Sequence, residues 1–369
     1  MSEILSPVQA MRLAIQEAQK GAGFVAPNPL VGCVILSAKG ELLSVGHHAR
    51  VGQDHAEVQA LEAIRDPGLL KDAQVYVTLE PCAHQGRTPP CAPRLARLPI
   101  DKVVYGMMDP NPKVAGKGLE ILKAAGKKVE TLPELYGELE DLAEVFLFNQ
   151  EQGRAFTAIK VATTLDGQMA EANGHSQWIT GETAREHAHF LRGCYDALVV
   201  GRGTFQADNP SLNIRHPRFA AKTNKVLVLD PQAKALPALM GSKLMQCHAP
   251  DHIIWVTAMD ATAPAGVQIW QVKHDKISGF DWQELTMRAY QNGIHSLFVE
   301  GGAVTIGQLL NGKSAQRWYQ FLAPDLFGAR QGLSVGAAWG HSNLDQRIRL
   351  LRPSWRGFGR DLLVSGRLF

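Results

Sequence analysis

The chain has 369 residues, 45% of them hydrophobic and 20% charged, with a net charge of +3 at pH 7. That length calls for two domains. The near-balanced charge gives no support for a dedicated nucleic-acid surface, and the longest apolar runs, such as 31–36 and 197–200, are far too short to span a membrane.

Five widely spread cysteines do not make a disulfide scaffold. Residues 1–20 lack the basic and apolar regions of a signal peptide, so a cytoplasmic location with reduced thiols is expected. Val8, Met11, Leu13 and Ile15 predict an amphipathic helix over 8–21, followed by a Pro/Asn loop at 26–29. An apolar strand at 31–36, a turn at Lys39–Gly40 and a strand at 41–46 read as an antiparallel hairpin. Val58, Leu61 and Ile64 put one face on a helix at 56–64; a strand follows at 74–79, and Pro81 opens a new element. A strand at 102–106, a helix at 118–125 and a strand at 128–130 complete a sheet with helices on its faces.

A second grammar starts near Gly153. A strand at 156–163 precedes a helix at 180–192, with Thr180 and Thr183 as candidate caps. Runs at 197–201, 226–230, 253–257, 267–272 and 296–300 read as buried strands, and 282–291 and 305–310 as helices. The stretch 144–154 has no flexible composition, which points to tightly joined domains, and there is no internal repeat.

His55-Ala56-Glu57 stands at the start of the helix at 56–64, Pro81-Cys82 follows a strand, and Cys91 comes nine positions later. One imidazole and two thiolates at helix or turn N-termini can meet at one metal, leaving the fourth tetrahedral position open for water, as in a catalytic zinc site. Zinc would bring the pKa of that water to around neutrality, and Glu57 would carry its proton to a departing amine. His-x-Glu followed by Pro-Cys-x-x-Cys is the zinc-deaminase signature. Here eight residues, 83–90, separate Cys82 from Cys91, and His84 within them competes with Cys91 as third ligand. Cys33, inside an apolar strand, reads as a core thiol, and Cys194 and Cys247 as inert.

Further motifs make the resemblance specific. These are Ala26-Pro-Asn28-Pro29-x-Val-Gly-Cys-Val, Thr78-Leu-Glu-Pro-Cys82-x-His84-x-Gly-Arg-Thr-Pro-Pro-Cys91 and Asp109-Pro-Asn-Pro-x-Val-x-Gly-x-Gly118. With them go Lys160-Val-Ala162-Thr-Thr-Leu-Asp166-Gly, Ser176-Gln-Trp178-Ile-Thr, Thr204-x-x-x-Asp208-Asn-Pro-x-Leu212-x-x-Arg215 and Val299-Glu300-Gly-Gly302. In these, over about residues 5–330, the chain resembles the bifunctional deaminase–reductases of riboflavin biosynthesis, in which the long cysteine spacing is itself the family's variant.

The resemblance implies a cytidine-deaminase-like α/β/α domain over 1–148 and a dihydrofolate-reductase-like α/β domain over 149–369. It implies one Zn2+ per chain on His55, Cys82 and Cys91, with Glu57 catalytic, and NADPH in the second domain. Cofactor contacts fall on Ala162, Trp178, Thr204, Asp208, Gly302, Ala303, Val304, Thr305, Ile306, Gly307 and Gln308. Substrate contacts fall on Asn28, Ser176, Arg192, Leu212, Arg215 and Glu300. The implied substrate is a small phosphoribosylaminopyrimidine, deaminated and then reduced from ribosyl to ribityl; no nucleic acid or membrane partner is implied, and the chain is expected to form a homo-oligomer, a dimer or tetramer.

Without the resemblance, Arg192 and Arg215 would each read as a surface charge, Trp178 as core packing and Gly301-Gly302 as a tight turn. Two stretches depart from the family: Lys222-Thr-Asn-Lys225 replaces Arg-x-Pro-x-Arg, and Pro231 stands where relatives have a cofactor-contacting hydroxyl. The tail, 340–369, with Arg347, Arg349, Arg352, Arg356 and Arg360, reads as a solvated face. Two other functions share part of this pattern: a deaminase of free nucleosides or tRNA with an unrelated second domain, and a zinc-stabilised binding module. The long cysteine loop and absence of a basic stripe oppose the first, and Glu57 opposes the second.

Overall fold

Strand alternation builds the first half of the molecule, seen in a computed structural model that describes residues 4–84, 89–110, 115–171, 174, 176–328, 332–340 and 343–369. Gly86, Arg87 and Thr88 of the loop between the cysteines, and Asn111, Pro112 and Val114 of the Asp109 motif, lie outside the described residues. Residues up to Gln152 form one compact unit and those from Gly153 another.

The first unit runs α1 (Pro7–Gln19), β1 (Gly32–Leu36), β2 (Leu42–His47), α2 (Ala56–Glu62), β3 (Gln74–Leu79), α3 (Cys91–Ala96), β4 (Lys102–Met107), α4 (Lys117–Ala124), β5 (Lys128–Glu130) and α5 (Tyr136–Gln152). Its strands lie in the order β2-β1-β3-β4-β5, with β1 antiparallel to both neighbours and β3, β4 and β5 parallel. Because successive side chains of a strand point to opposite faces, Val34, Leu36, Tyr76 and Val104 pack with Met11 and Ile15 of α1 and Leu139 of α5. Cys33, Ile35, Val75, Val77 and Val103 pack instead with Ala60 of α2, Leu95 of α3 and Leu122 of α4.

One expectation is sharpened here and another changes. The first helix after Pro81 is α3, which begins at Cys91, after Pro90. The stretch expected as a linker from 144 is instead the last turns of α5, which runs unbroken to Gln152.

The second unit runs β6 (Phe156–Thr164), β7 (Gln168–Glu171), α6 (Glu182–Cys194), β8 (Ala197–Gly201), α7 (Arg202–Asp208), β9 (Lys225–Leu229), α8 (Lys243–Cys247), β10 (Ile253–Thr257), β11 (Gln268–Gln271), β12 (His274–Asp275) and β13 (Gly279–Phe280). It continues with α9 (Trp282–Gln291), β14 (Ser296–Val299), α10 (Ala303–Asn311), β15 (Arg317–Ala323), β16 (Gly332–Ser334), β17 (Leu351–Phe358) and β18 (Asp361–Arg367). The main sheet has the order β11-β10-β9-β8-β14-β6-β15-β18-β17. It is parallel from β11 to β15, with β18 and β17 antiparallel at one edge. The inner parallel strands are buried on both faces, which is why they read as continuous apolar runs. In this geometry ligands bind beyond the carboxyl ends of the strands, and here β8, β9 and β14 run out into Arg202, Pro231 and Glu300, all on one cavity.

The arginine-bearing tail is therefore not only a solvated face. Arg347, Arg349, Arg352, Arg356 and Arg360 are exposed, but they ride on and around the edge strand β17 and its partner β18. Nor do Thr180 and Thr183 cap α6: its N-cap is Gly181, whose N–H is taken by the carboxylate of Asp361 at 2.6 Å.

Candidate active sites

The first site is assembled where α2 meets the ends of β2 and β3. Gly46 lets α2 approach: a Cβ there would stand 2.3 Å from the Ala56 carbonyl oxygen. The Ser44 hydroxyl donates to the Ala60 carbonyl at 2.7 Å, fixing the helix further. His55 is the N-cap of α2 but makes no side-chain cap bond, so its ring is left for other work. Its Nδ1 stands 3.5 Å from the Sγ of Cys82 and 3.5 Å from the Sγ of Cys91. Cys91 is the first residue of α3, and its N–H donates to the Cys82 sulfur at 3.4 Å.

These distances can be tested against zinc. Bonds of about 2.3 Å to sulfur and about 2.0–2.1 Å to nitrogen, at a tetrahedral angle, require N···S separations of about 3.6 Å. The three donor atoms fit, lying within 4.8 Å of one another. His84 lines the cavity but stands outside this cluster among the described residues, so the competition for third ligand resolves to Cys91.

Burial pushes the Glu57 carboxyl up from its ordinary value, and the charge on Cys82 pushes it further. Such a shift suits a group that must hold and release a proton. The Cys82 thiol is held down, to about 4, chiefly by its hydrogen bond with Cys91, while the same shared proton holds Cys91 up. Cys33 is fully buried and its thiol is pushed well up by that burial, as expected of a core cysteine. Burial likewise raises Cys194, to about 12.

A cavity of about 430 Å³ opens onto Glu57, His55 and Cys82, with Asn28 on its wall. The Asn28 amide donates to His48 Nε2 at 3.0 Å, and His48 Nδ1 donates to the Asp54 carbonyl at 3.1 Å. That chain sets the ring tautomer and turns the Asn28 carbonyl oxygen into the available acceptor. Sequence reasoning missed His48 in this role, and also Glu80. The Glu80 carboxylate, buried, accepts N–H groups from Asp109 at 3.4 Å, Gly116 at 2.9 Å and Gly118 at 3.0 Å. It thereby ties the segment carrying Asp109 to the cavity wall.

In the second unit a cavity of about 870 Å³ is lined by Ala162, Ser176, Trp178, Arg192, Thr204, Asp208, Leu212, Arg215, Glu300, Gly302, Ala303, Val304, Thr305 and Gln308. Ile306 and Gly307 are not on its wall. Ile306 belongs to the hydrophobic core, and a Cβ on Gly307 would meet the Ala338 carbonyl at 2.4 Å. Gly302 is the N-cap of α10 and offers no side chain to the helix's first N–H groups, which are left for an anion. A Cβ at Gly302 would project toward the hydroxyl of Thr204, 3.7 Å away. These features fit a dinucleotide phosphate.

Glu300 forms a two-pronged ion pair with Arg192, through Nε and through Nη2 at 3.0 Å, and lies 3.6 Å from the ammonium of Lys160. The third guanidinium nitrogen of Arg192 donates to the Asn213 carbonyl at 3.1 Å and faces His189 Nδ1 at 3.5 Å. Lys160 and His189 escaped sequence reasoning, although His189 and Arg192 share a helix face. Burial, then Arg192 and Arg215, lower His189 to about 4, so its ring is neutral. For Glu300, burial raises the carboxyl but Arg192 and Lys160 outweigh it, leaving it near 2, from 4.5.

A carboxyl lowered on folding adds stability above its unfolded value and loses it as pH falls toward the folded one. Glu300 therefore adds at most about 3 kcal/mol near neutrality. Part of that is offset at Lys160, which burial pushes below its ordinary value. The urea-unfolding gap between wild type and Glu300→Gln is expected to narrow as pH drops from 4.5 toward 2; a gap independent of pH would rule this out.

The departures find structural uses. The Lys222 ammonium donates to the carbonyls of Gly193 at 2.7 Å and Tyr195 at 3.0 Å, closing the C-terminal end of α6. Pro231 lines the cavity, and its carbonyl accepts from Ala258 N–H at 3.0 Å. Asp230 before it is fully buried and accepts from Ala235 N–H at 2.7 Å.

Comparison with known proteins covers both units. Residues 6–107 match the cytidine and deoxycytidylate deaminase zinc-binding region, and residues 155–363 match the RibD C-terminal domain. The chain is 36% identical to riboflavin biosynthesis protein RibD of Actinobacillus pleuropneumoniae, covering 98% of this chain and 95% of that one. It is 34% identical to riboflavin biosynthesis protein RibD of Escherichia coli, covering 86% and 88%. Among solved structures, Acinetobacter baumannii RibD is 31% identical with a TM-score of 0.79, covering 98% of each chain. The Thermotoga maritima diaminohydroxyphosphoribosylaminopyrimidine deaminase/5-amino-6-(5-phosphoribosylamino)uracil reductase is 31% identical with a TM-score of 0.82, also covering 98% of each.

Proposed function

The chain belongs to the family of riboflavin biosynthesis protein RibD, a deaminase joined to a reductase, and from that premise we propose how its residues divide the two reactions. The first unit hydrolyses the exocyclic amine of 2,5-diamino-6-(5-phosphoribosylamino)pyrimidin-4(3H)-one. The second reduces the ribosyl group of the deaminated product to a ribityl chain. Similarity runs through both units, so a nucleoside or tRNA deaminase with an unrelated second domain is set aside.

The observation that carries the deaminase assignment is the His55–Cys82–Cys91 cluster with buried Glu57 beside it on one cavity. Those three residues would hold zinc, which when bound supplies the Lewis acidity that brings a water's pKa to near neutrality. Glu57 takes a proton from the attacking water and delivers it to the amine nitrogen; the new C–O bond replaces the C–N bond and ammonia departs. Asn28, its oxygen presented by His48, accepts a hydrogen bond from the pyrimidine.

In the second unit Ala162, Trp178, Thr204, Asp208 and the first turn of α10 from Gly302 would hold NADPH, which when bound supplies the hydride for ribose C1′. Ser176, Leu212 and Arg215 face the substrate, while Arg192 keeps Glu300 ionised and oriented. Much of the rate then comes from holding the sugar against the cofactor.

No helix among the described residues is long and apolar enough to cross a membrane. A cytoplasmic homo-oligomer, a dimer or tetramer, is part of the same reading, supported by the exposed edge strand β17 with Trp355 at 63% exposure.

Metal removal separates the two reactions. Protein stripped by a chelator should release no ammonia yet oxidise NADPH at the wild-type rate when given the deaminated substrate, and added zinc should restore the ammonia. Ammonia release that survives complete zinc loss would overturn the assignment.

A further inference from the structure

We propose that Arg185 is a substrate-binding residue of the second cavity, joining Arg215 to hold the substrate's phosphate monoester. This rests on the reductase reading above. Arg185 lies on α6, four residues before His189 and seven before Arg192, so all three share one face of the helix. It lines the same cavity as Arg215 and Ser176.

Arg192, the arginine the family motif supplies, is largely spent: Glu300 takes its Nε and Nη2, and Asn213 and His189 face its Nη1. Lys160 is matched by the same carboxylate. Arg185 and Arg215 have no carboxylate partner among the described residues. Arg185 gives one N–H to the Thr180 carbonyl at 2.6 Å and lies over the Trp178 ring at 4.6 Å, two contacts that hold its guanidinium in place. Arg215 gives one N–H to Asn213 Oδ1 at 3.2 Å, and its backbone N–H goes to His189 Nδ1 at 3.2 Å. Each keeps further N–H donors. Burial, then the charges of Arg192 and Arg185, lower the Arg215 guanidinium from its ordinary value, so Arg185 and Arg215 are near enough to repel each other.

Two oriented, uncompensated guanidinium groups on one cavity wall call for a dianion with several acceptor oxygens, and a phosphate monoester is the match. Two such groups could enter here: the 5-phosphate of the substrate and the 2′-phosphate of the cofactor ribose. The link from Arg215 through His189 and Asn213 to Arg192 and Glu300 favours the substrate.

The test uses the full chain and two variants, Arg185→Gln and Arg185→Lys. NADPH oxidation is followed with 5-amino-6-(5-phosphoribosylamino)uracil and with its dephosphorylated counterpart, and then with NADH in place of NADPH. For Arg185→Gln the expected result is a KM for the phosphorylated substrate raised about 30-fold, the loss of one charge-assisted pair, with kcat within about threefold. The preference for the phosphorylated over the dephosphorylated substrate should fall by the same factor, the NADPH-over-NADH preference should hold, and Arg185→Lys should recover part of the loss. An unchanged phosphate preference overturns the proposal. So does an equal loss on both substrates, and so does a collapse of the NADPH-over-NADH preference, which would move Arg185 to the cofactor. Should Arg185→Gln fail to fold, Arg185→Lys read against the same ratio decides, since an ammonium cannot reproduce the two-pronged contact. A wild type that does not oxidise NADPH with the phosphorylated uracil would sink the reductase reading itself; a normal wild type with an unmoved ratio sinks only this inference.

Discussion

Glu57→Gln should lower the rate of ammonia release by about 10³-fold or more, within the range for a positioned acid–base group, while leaving zinc bound at one per chain. The substitution keeps the shape of a side chain that is 4% exposed and removes only its ability to carry a proton. None of the three ligating atoms belongs to it: Nδ1 of His55 and the two sulfurs close the metal triangle by themselves. Reduction of the deaminated substrate should be untouched, because among the described residues none that lines the second cavity comes from this unit. The checks are ammonia release, zinc per chain and NADPH oxidation on one preparation. A variant that deaminates at more than a tenth of the wild-type rate contradicts the proton-carrying role, and one that loses its zinc shows Glu57 to be structural.

The second large effect lies away from the reacting atoms. Gly118→Ala should destabilise the first unit by about 3 kcal/mol, as overpacking does, and weaken zinc binding by about 10- to 100-fold, the usual cost of disturbing a ligand's support. Gly118 has no left-handed backbone to satisfy. Its need is proximity: a Cβ would stand 1.9 Å from the Pro81 carbonyl oxygen and 3.3 Å from a carboxylate oxygen of Glu80. Pro81 precedes Cys82, and Glu80 accepts the Gly118 N–H at 3.0 Å. Neither neighbour is the free end of a flexible chain, so the methyl group must push the backbone that presents Cys82. Thermal unfolding and a zinc competition with a chromophoric chelator read the two effects. Unchanged zinc affinity would mean that α4 yields instead of the Cys82 segment.

Much of this was legible because the chemistry is local. His55 and Glu57 sit on one helix start, and Cys82 and Cys91 flank one loop, so each half of the site leaves a local mark, although the fold must bring the two halves together. The buried strands β10 and β14 were legible for a similar reason, since burial on both faces removes every polar interruption.

What was hidden is nonlocal. Arg192 meets Glu300 across 108 positions, and the Gly181 N–H finds its acceptor, Asp361, 180 positions away. Neither partner leaves a local mark. The helix α5 blurred its own period by burying Glu144 and Asn149 beside Leu139 and Ala143. Strand β17 carries no alternation because nearly all of it is exposed, and its pairing slips between Leu351 and Ser354, around Pro353.

The most direct test of two consecutive reactions in one chain is a single progress curve. Wild-type protein is given the diaminopyrimidinone ribosylamine phosphate and NADPH, and ammonia and NADPH are followed together. Ammonia should appear first, NADPH consumption should lag and then match it one for one, and withholding NADPH should leave ammonia release intact. NADPH oxidation that precedes ammonia, or proceeds without it, would contradict the account.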